Sequence, residues 1–180
     1  MPETPKTRRH ANVLNIEDVT PTDTEQGAFQ FRRRRLGVAA GGVALGCSVI
    51  EVPPGKTAFP FHFHSAIEEA IFILEGSGTA RLGKETVEVR SGDYIAYPPG
   101  PVTPHALTNT GTAPLRYLAL SSPATPTTMD IVAYPDSKKI AFACGVDPVK
   151  GFAGGTWLMK LIREEQPQLG YYDDEPLAKK

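Results

Sequence analysis

The chain has 180 residues, and 20 acidic against 19 basic side chains leave a formal net charge of −1. This length suits a single domain with its own core, and the charge balance gives no general attraction to nucleic acid or to an anionic membrane surface. The 17 glycines and 17 prolines are spread along the chain. They favour many short elements joined by tight turns over a few long helices.

Several features bear on the compartment. No apolar run approaches the length of a membrane span, and the first residues lack the apolar core of a secretion signal. Cys47 and Cys144 lie far apart in apolar surroundings, as expected of buried thiols in a reducing environment. We therefore expect a cytoplasmic protein with no membrane partner.

The chain divides into three predicted parts. Residues 1–27 are polar and contain three prolines, so we predict a flexible N-terminal arm. From Ala28 onward, runs rich in β-branched and aromatic residues alternate with turn residues. We predict that residues 28–136 form a barrel and that residues 137–180 form a C-terminal extension packing on or over it.

Short predicted strands follow one another through the central part. Their repetition predicts an all-β sandwich or barrel. Beyond Pro123, MDIVAYPDSKKIAFACGVDP is compatible with edge strands, and GGTWLMKLIREEQP with a short helix or a strand. The earlier strands read AFQFRRRRLG, GVALGCSVIEV, TAFPFHFHSA, EEAIFILEG, a hairpin turning at Gly83 and Lys84, DYIAYPPG, HALTNTG and PLRYLALSSP.

Three of the four histidines belong to one pattern. His62 and His64 are two apart on a predicted strand, so their side chains share a face. Glu69 begins the following strand and can fold back beside them, and His105 opens a later strand. Three imidazoles and a carboxylate suit a divalent transition metal. The fourth histidine, His10, falls in the arm.

These residues also have an alternative explanation as ordinary core. A single histidine on an apolar strand is commonly a hydrogen-bonded core residue. A buried carboxylate without a cation, however, has to be neutralised or fully hydrogen-bonded. A metal ion removes that cost, so the combination favours metal binding.

The histidine pattern resembles the first sequence motif of the cupin superfamily. That motif is a glycine, then H-x-H, three or four residues, E, six residues and G. Gly55, His62, His64, Glu69 and Gly76 match it, with one residue more than usual between the first glycine and the first histidine.

The second cupin motif is also recognisable. Gly92 and the Pro98-Pro99-Gly100 turn have the family's spacing, and Asn109 stands at the expected distance from His105. His105 itself follows Gly100 after four residues instead of the usual two. The longer loop raises the question of whether this imidazole reaches the other three groups.

A closer resemblance is to a bacterial subgroup of single-domain cupins of unassigned activity. The shared features are RRRLG at 33–37, VPPG at 52–55, the extended loop at 101–104 and the Tyr134-Pro135-Asp136 segment. The resemblance covers roughly residues 30–136. It implies a double-stranded β-helix, or jelly-roll barrel, with short peripheral N- and C-terminal segments.

The resemblance implies that His62, His64, Glu69 and His105 are ligands of one divalent transition metal ion, which could be Fe, Mn, Zn, Ni or Co. Glu68 is the competing carboxylate, but the six-residue spacing to Gly76 selects Glu69.

Further interior positions are candidates for contact with a substrate. They are Phe72, Arg81, Tyr97 and Tyr117, each of which is also explained as ordinary core or, for Arg81, as a solvated edge residue. Arg81 is of most interest, because a cation near the barrel mouth would suit an anionic substrate.

Four consecutive arginines, residues 32–35, invite a nucleic-acid interpretation. On a strand only two of them share a side, and the chain has no surplus of positive charge. We expect a solvated or subunit-facing strand and no nucleic-acid partner. Because many cupins pair through an edge strand, the resemblance predicts a homodimer, with residues 28–37 as the candidate edge.

Two functions are compatible with these features. The first is a metal-dependent enzyme, of isomerase or dioxygenase type, that acts on a small polar metabolite. The alternative is a non-catalytic cupin that binds or senses a small-molecule ligand. A shared barrel does not choose between them.

Overall fold

The computed structural model describes residues 10–101, 103–122, 129–144 and 158–163. Within those ranges the chain is mostly β-structure, with a helix α1 at Leu36–Ala39 and 3-10 turns at Ile16–Asp18 and Pro135–Ser137. The strands are β1 (Thr22–Gln26), β2 (Phe29–Arg35), β3 (Gly46–Val52), β4 (Phe63–His64), β5 (Glu69–Glu75), β6 (Ser77–Leu82), β7 (Glu85–Arg90), β8 (Tyr94–Tyr97), β9 (His105–Thr108), β10 (Leu115–Ser121), β11 (Met129–Tyr134), β12 (Lys139–Cys144) and β13 (Leu158–Arg163).

The strands of the described ranges form three antiparallel sheets. The largest has the order β1-β2-β3-β10-β5-β8, a second has β7-β6-β9, and a third has β13-β12-β11-β4. Strand β10 returns to lie between β3 and β5, so strands distant in sequence become neighbours. The predicted all-β class is confirmed, and the architecture is a double-stranded β-helix, or jelly roll.

The core is one apolar cluster shared by two of the sheets. Strands β3, β5, β8 and β10 of the large sheet contribute to it, and β6, β7 and β9 add Ala80, Val89 and Leu107. Tyr97 and Tyr117 are its largest fully enclosed side chains. Burying each large apolar side chain contributes about 1.5–3 kcal/mol to folding, so this cluster sets the relative position of the two sheets.

Alternation along the strands decides which side chains enter the core. On β5, Ile71 and Ile73 are buried, whereas Phe72 between them is 37% exposed. The inward-facing Tyr117 of β10 pairs with Ile50 on one side and Ile73 on the other. The period of two that a strand imposes therefore extends across three neighbouring strands.

Gly76 makes the predicted turn between β5 and β6. Its φ is +85°, in the region that favours glycine. A Cβ at this position would lie only 2.6 Å from the carbonyl oxygen of Pro114. The close approach of the two backbones therefore requires a residue without a side chain.

Asn109, which matches the last residue of the second motif, is a fully buried structural residue. Its Nδ2 donates to the carbonyls of Val52 at 2.8 Å and Ala113 at 2.9 Å, and its Oδ1 accepts from the Gly111 amide at 2.9 Å. One amide side chain thus fastens the end of β3 to the loop between β9 and β10.

The N-terminal part differs from the sequence prediction in one respect. Residues 28–37 are not an edge, because β1 pairs with the outer side of β2, and Asp23 forms an ion pair of 2.8 Å with Arg32. All five residues of β1 are exposed. Because this strand shows no apolar alternation, its sequence resembles the rest of the predicted N-terminal arm.

The C-terminal part contains the predicted additional strands. β11 and β12 pair along their full length, and β13 adds to β12. Of the two alternatives for WLMKLI, the strand is the observed one from Leu158 onward. Trp157 lies outside the described residues.

In the part of the chain that the structure describes, no helix has both the length and the apolar character needed to cross a membrane.

Replacing Asn109 with alanine is expected to lower the free energy of unfolding by about 2–4 kcal/mol, because two buried carbonyls and one amide lose their partner. Chemical denaturation with a common m-value measures this. The matched control is Asn12→Ala, which removes an exposed side-chain hydrogen bond to Ala40 and should change stability by less than about 0.5 kcal/mol. Equal effects of the two substitutions would contradict the structural role of Asn109.

Candidate metal centre

Backbone pairing brings the segments that contain His62 and His105 together. His62 and His105 form a β-bridge, in which each amide donates to the other residue's carbonyl, at 3.1 Å and 2.7 Å. Their rings consequently lie with centroids 4.6 Å apart. The amide of Gly100 donates to the carbonyl of His64 at 2.7 Å, which ties the second motif to the first.

Glu69 reaches the same point from the large sheet. It is the first residue of β5 and pairs with Tyr97 of β8 and Ser121 of β10. Ile71 and Ile73, which share its face, are buried in the core. The competing carboxylate, Glu68, is exposed, as parity predicts.

One oxygen of Glu69 lies close to all three imidazoles. Its Oε2 is 3.7 Å from Nε2 of His62, 3.5 Å from Nε2 of His64 and 3.3 Å from Nε2 of His105. Ligands about 2.1 Å from a common ion lie roughly 3–3.4 Å apart. The separation of His105 lies within this range and those of His64 and His62 are slightly longer, so the three imidazoles lie about as far from Glu69 as ligands of one cation would, and His105 reaches the group despite the longer loop.

The outer nitrogen of each imidazole has an oxygen acceptor. Nδ1 of His62 lies 2.7 Å from the carbonyl of Pro60, and Nδ1 of His105 lies 3.3 Å from that of Thr103. Nδ1 of His64 lies 2.5 Å from Oδ2 of Asp130. We assign the proton of each neutral ring to Nδ1 from this network, which leaves every Nε2 as an acceptor directed at Glu69.

This donor set calls for a positive charge. A neutral imidazole that donates through Nδ1 presents a lone pair at Nε2, and an ionised carboxylate only accepts. Acceptors that face one another require a cation between them. The ligand atoms of His62, Glu69 and His105 all lie within 4.8 Å of one another. His64 is not part of that group, but its Nε2 lies 3.5 Å from Oε2 of Glu69. Imidazole nitrogen and carboxylate oxygen are the donors that divalent transition metals take in proteins. The residues present therefore fit a metal ion, and they do not select one metal.

When protons occupy the place of a cation, the same groups perturb one another. Burial opposes ionisation of Glu69, but hydrogen bonds from His105 and His62 and the charge on His64 outweigh it and hold the Glu69 pKa well below its usual range. Burial lowers the pKa of His105. It acts in the same direction on His64, where the Asp130 hydrogen bond and the Glu69 charge prevail and raise the pKa. The carboxylate is thus ionised at neutral pH.

Asp130 was not singled out in the sequence. It is 2% exposed on β11, and besides His64 it accepts the Ala66 amide at 3.0 Å and the Ser65 hydroxyl at 3.3 Å. Burial disfavours its charge, but these hydrogen bonds, led by that of His64, lower its pKa. The sequence did contain an indication of this role. Asp130 is two residues from Val132 and shares its buried strand face, where a charged side chain is unusual.

The substrate candidates occupy different environments. Tyr97 stacks on the His105 ring with centroids 3.6 Å apart, and Tyr117 is 1% exposed within the core. Phe72 faces away from the interior, because it is one residue out of phase with Glu69 and Ile71. The structure brings Tyr97 to the centre and does not bring Phe72 there.

Arg81 is engaged by other groups. Its guanidinium lies 3.5 Å from the centroid of the Phe61 ring and forms a two-point ion pair with Asp136, at 2.5 Å and 3.0 Å. This arrangement links β6 to the turn after β11. Tyr134, two residues before Asp136, stacks on His62 with centroids 5.9 Å apart.

Comparison with known proteins agrees with this architecture. Residues 48–121 match the family model described as "Cupin domain". An uncharacterised protein of Methanocaldococcus jannaschii is 40% identical over 82 residues, which are 46% of this chain and 63% of that protein. The chain therefore spans less than two thirds of the curated relative that it matches.

Solved structures show the same fold over more of the chain. A candidate sugar phosphate isomerase from Acidithiobacillus ferrooxidans has a TM-score of 0.70 at 23% identity, over 83% of this chain and 92% of that one. A sugar phosphate isomerase of the cupin superfamily from Silicibacter pomeroyi has a TM-score of 0.70 at 19% identity, over 88% and 97%. The family-model match and the shared fold identify residues 48–121 as a cupin domain.

Replacing His64 with alanine should remove most of the bound metal while the barrel stays folded, because the ion depends on the full donor set whereas the core is apolar. Elemental analysis of the purified variant, with circular dichroism and thermal unfolding, measures both. His10→Ala is the control, since that histidine is exposed and distant in sequence from the centre. Unchanged metal content in the folded His64 variant would refute the assignment.

Replacing Asp130 with asparagine should weaken metal affinity about 10- to 100-fold. An amide cannot accept from His64, Ser65 and Ala66 together, so the imidazole loses its fixed orientation. Competition with a chelator measures the affinity. Asp136→Asn removes the same charge from an exposed ion pair and should leave affinity within about twofold. Parallel losses in both variants would show a general charge effect and not a positioning role.

Proposed function

We propose that this protein is a metal-dependent enzyme that acts on a small polar metabolite at the centre formed by His62, His64, Glu69 and His105. The observation that supports this most strongly is the convergence of three Nε2 atoms on one oxygen of Glu69. Hydrogen bonding at every Nδ1 fixes which nitrogen faces inward. Such preorganisation at both ends of each ring is typical of a metal centre.

The protein's part in this chemistry is to hold and orient. Four donors leave further positions on an ion that accepts six, and a substrate oxygen could occupy them. A bound metal ion would polarise a carbonyl or hydroxyl oxygen, or, if it were iron, support chemistry with dioxygen. The fixed imidazoles and the ionised Glu69 keep the donor set constant during such a reaction.

Exposure and charge define the kind of substrate. The Glu69 side chain is 29% exposed and those of His62, His64 and His105 are 11%, 16% and 8% exposed, so the centre is enclosed without being sealed. A divalent ion with one carboxylate carries net positive charge. That charge favours a substrate rich in oxygen, such as a hydroxy-carbonyl compound.

Both isomerisation and oxygenation are compatible with this donor set, and the experiment described below separates them. Two of the similar structures are named as sugar phosphate isomerases, but at their identities the likeness concerns the fold alone. The proposal therefore rests on the donor set.

The test begins with protein purified without added metal, whose metal content is measured. A panel of sugar phosphates, hydroxy acids and diketones is then incubated with it, with and without oxygen. We expect turnover of at least one compound that a chelator abolishes and the metal restores. Oxygen uptake coupled to substrate loss identifies an oxygenase, and turnover without oxygen to a product of unchanged mass identifies an isomerase.

The His64→Ala variant is the control, since it should show no turnover. A fully metal-loaded protein that converts no compound, yet is thermally stabilised by one of them, would contradict the enzymatic proposal. It would instead identify the ligand-binding cupin.

A further inference from the structure

The register of the large sheet separates the four arginines of β2. Arg33 pairs with Ile50 and Arg35 pairs with Ser48. Ile50 and Ser48 are buried on the inner face of β3, in the same rows as Tyr117 and Ala119 of β10. Arg33 and Arg35 therefore point to the interior side of the sheet, and Arg32 and Arg34 to the exterior side.

The inner side is also that of the candidate metal centre. Ser121, two residues beyond Ala119 on β10, pairs with Glu69. The row that holds Arg33, together with Ile50, Tyr117 and Ile73, is two inward-facing positions from the row that holds Glu69, or about 13 Å along the strands. The half-buried Arg33 therefore lies on the same side of the sheet as the metal ligands, and the charge of Glu69 acts on it.

The outer and inner arginines differ in their partners. Arg32 forms an ion pair with Asp23 at 2.8 Å, and Arg34 forms one with Glu17 at 3.5 Å. Arg33 donates from Nε to the Ser48 hydroxyl at 3.2 Å. Among residues 10–101, 103–122, 129–144 and 158–163, no carboxylate forms an ion pair with Arg33.

Arg33 is thus a half-buried positive charge without a counter-charge in the described ranges. Burial, reinforced by the like charge of Arg35, lowers its pKa, and the charge of Glu69 acts in the opposite direction. An arginine nevertheless remains protonated at any physiological pH. A charge in such a place is costly unless an anion joins it.

Ser48 leaves the binding edge of this guanidinium available. Ser48 is 4% exposed, and its hydroxyl accepts only from Nε of Arg33. The two terminal nitrogens of Arg33 can therefore donate in parallel to two oxygens of one group. This two-point geometry matches a carboxylate or a phosphate. Arg81, by contrast, already has Asp136 as its two-point partner.

We infer that Arg33, held by Ser48, binds the anionic group, a carboxylate or a phosphate, of the metabolite that reacts at the metal centre. This inference rests on the proposed function and names its substrate class. Arg33 lies outside the segment that matches the cupin family model, residues 48–121, so the site belongs to β2 of this chain.

The test titrates metal-loaded protein with inorganic phosphate and, separately, with malonate, at constant ionic strength in chloride, using isothermal titration calorimetry. We expect one of the two anions to bind the unaltered protein, and the preferred one identifies the group. Arg33→Gln should weaken that binding at least tenfold, because it removes the charge and the two-point donor. The matched control Arg32→Gln, on the exterior side of the same strand, should stay within twofold.

The outcomes separate the inference from the proposed function. If metal analysis shows a loaded centre and Arg33→Gln binds the anion as tightly as Arg32→Gln does, the inference is overturned and the metal centre stands. If neither anion binds the loaded protein, the inference is likewise overturned. If no metal is retained even when supplied, the proposed function fails, a result read from metal analysis and not from the titration.

A second variant covers the case in which Arg33→Gln does not fold. Arg33→Lys keeps the charge and loses the planar two-point donor, so anion affinity should fall at least fivefold with metal content unchanged. Unchanged affinity in that variant would overturn the inference.

Discussion

The carboxylate of Glu69 faces three imidazole nitrogens at 3.3 Å to 3.7 Å, and the organisation of the site depends on this contact. Each imidazole presents a lone pair to this carboxylate, so the groups are stable together only around a cation or shared protons. The barrel makes the contact possible because β5 supplies the carboxylate while β9 and the segment around β4 supply the imidazoles.

The outer side of the rings explains why the contact has a definite geometry. Backbone carbonyls hold His62 and His105, whereas His64 is held by the side chain of Asp130. Asp130 lies on β11, beyond the segment that matches the family model. The third sheet is therefore part of the centre, because it orients one of the candidate ligands.

The arginines of β2 show how one strand serves two environments. Arg32 and Arg34, on the exterior side, form ion pairs with carboxylates. Arg33, on the interior side, donates to the Ser48 hydroxyl and forms no ion pair with a carboxylate of the described residues. Pairing of β1 with β2 leaves this strand within the sheet instead of at its edge. The same alternation that buries the core thus gives the interior a positive charge.

The all-β class, the hairpin at Gly83 and the shared face of His62 and His64 could be predicted from the sequence alone, because alternation and turn chemistry act over a few residues. The strand character of β1 could not, since its residues are all polar and exposed. The contact between Asp130 and His64, 66 residues apart, and the unpaired state of Arg33 were decided only by the tertiary structure. Which side chains meet across strands depends on register and sheet order, and no local pattern specifies these.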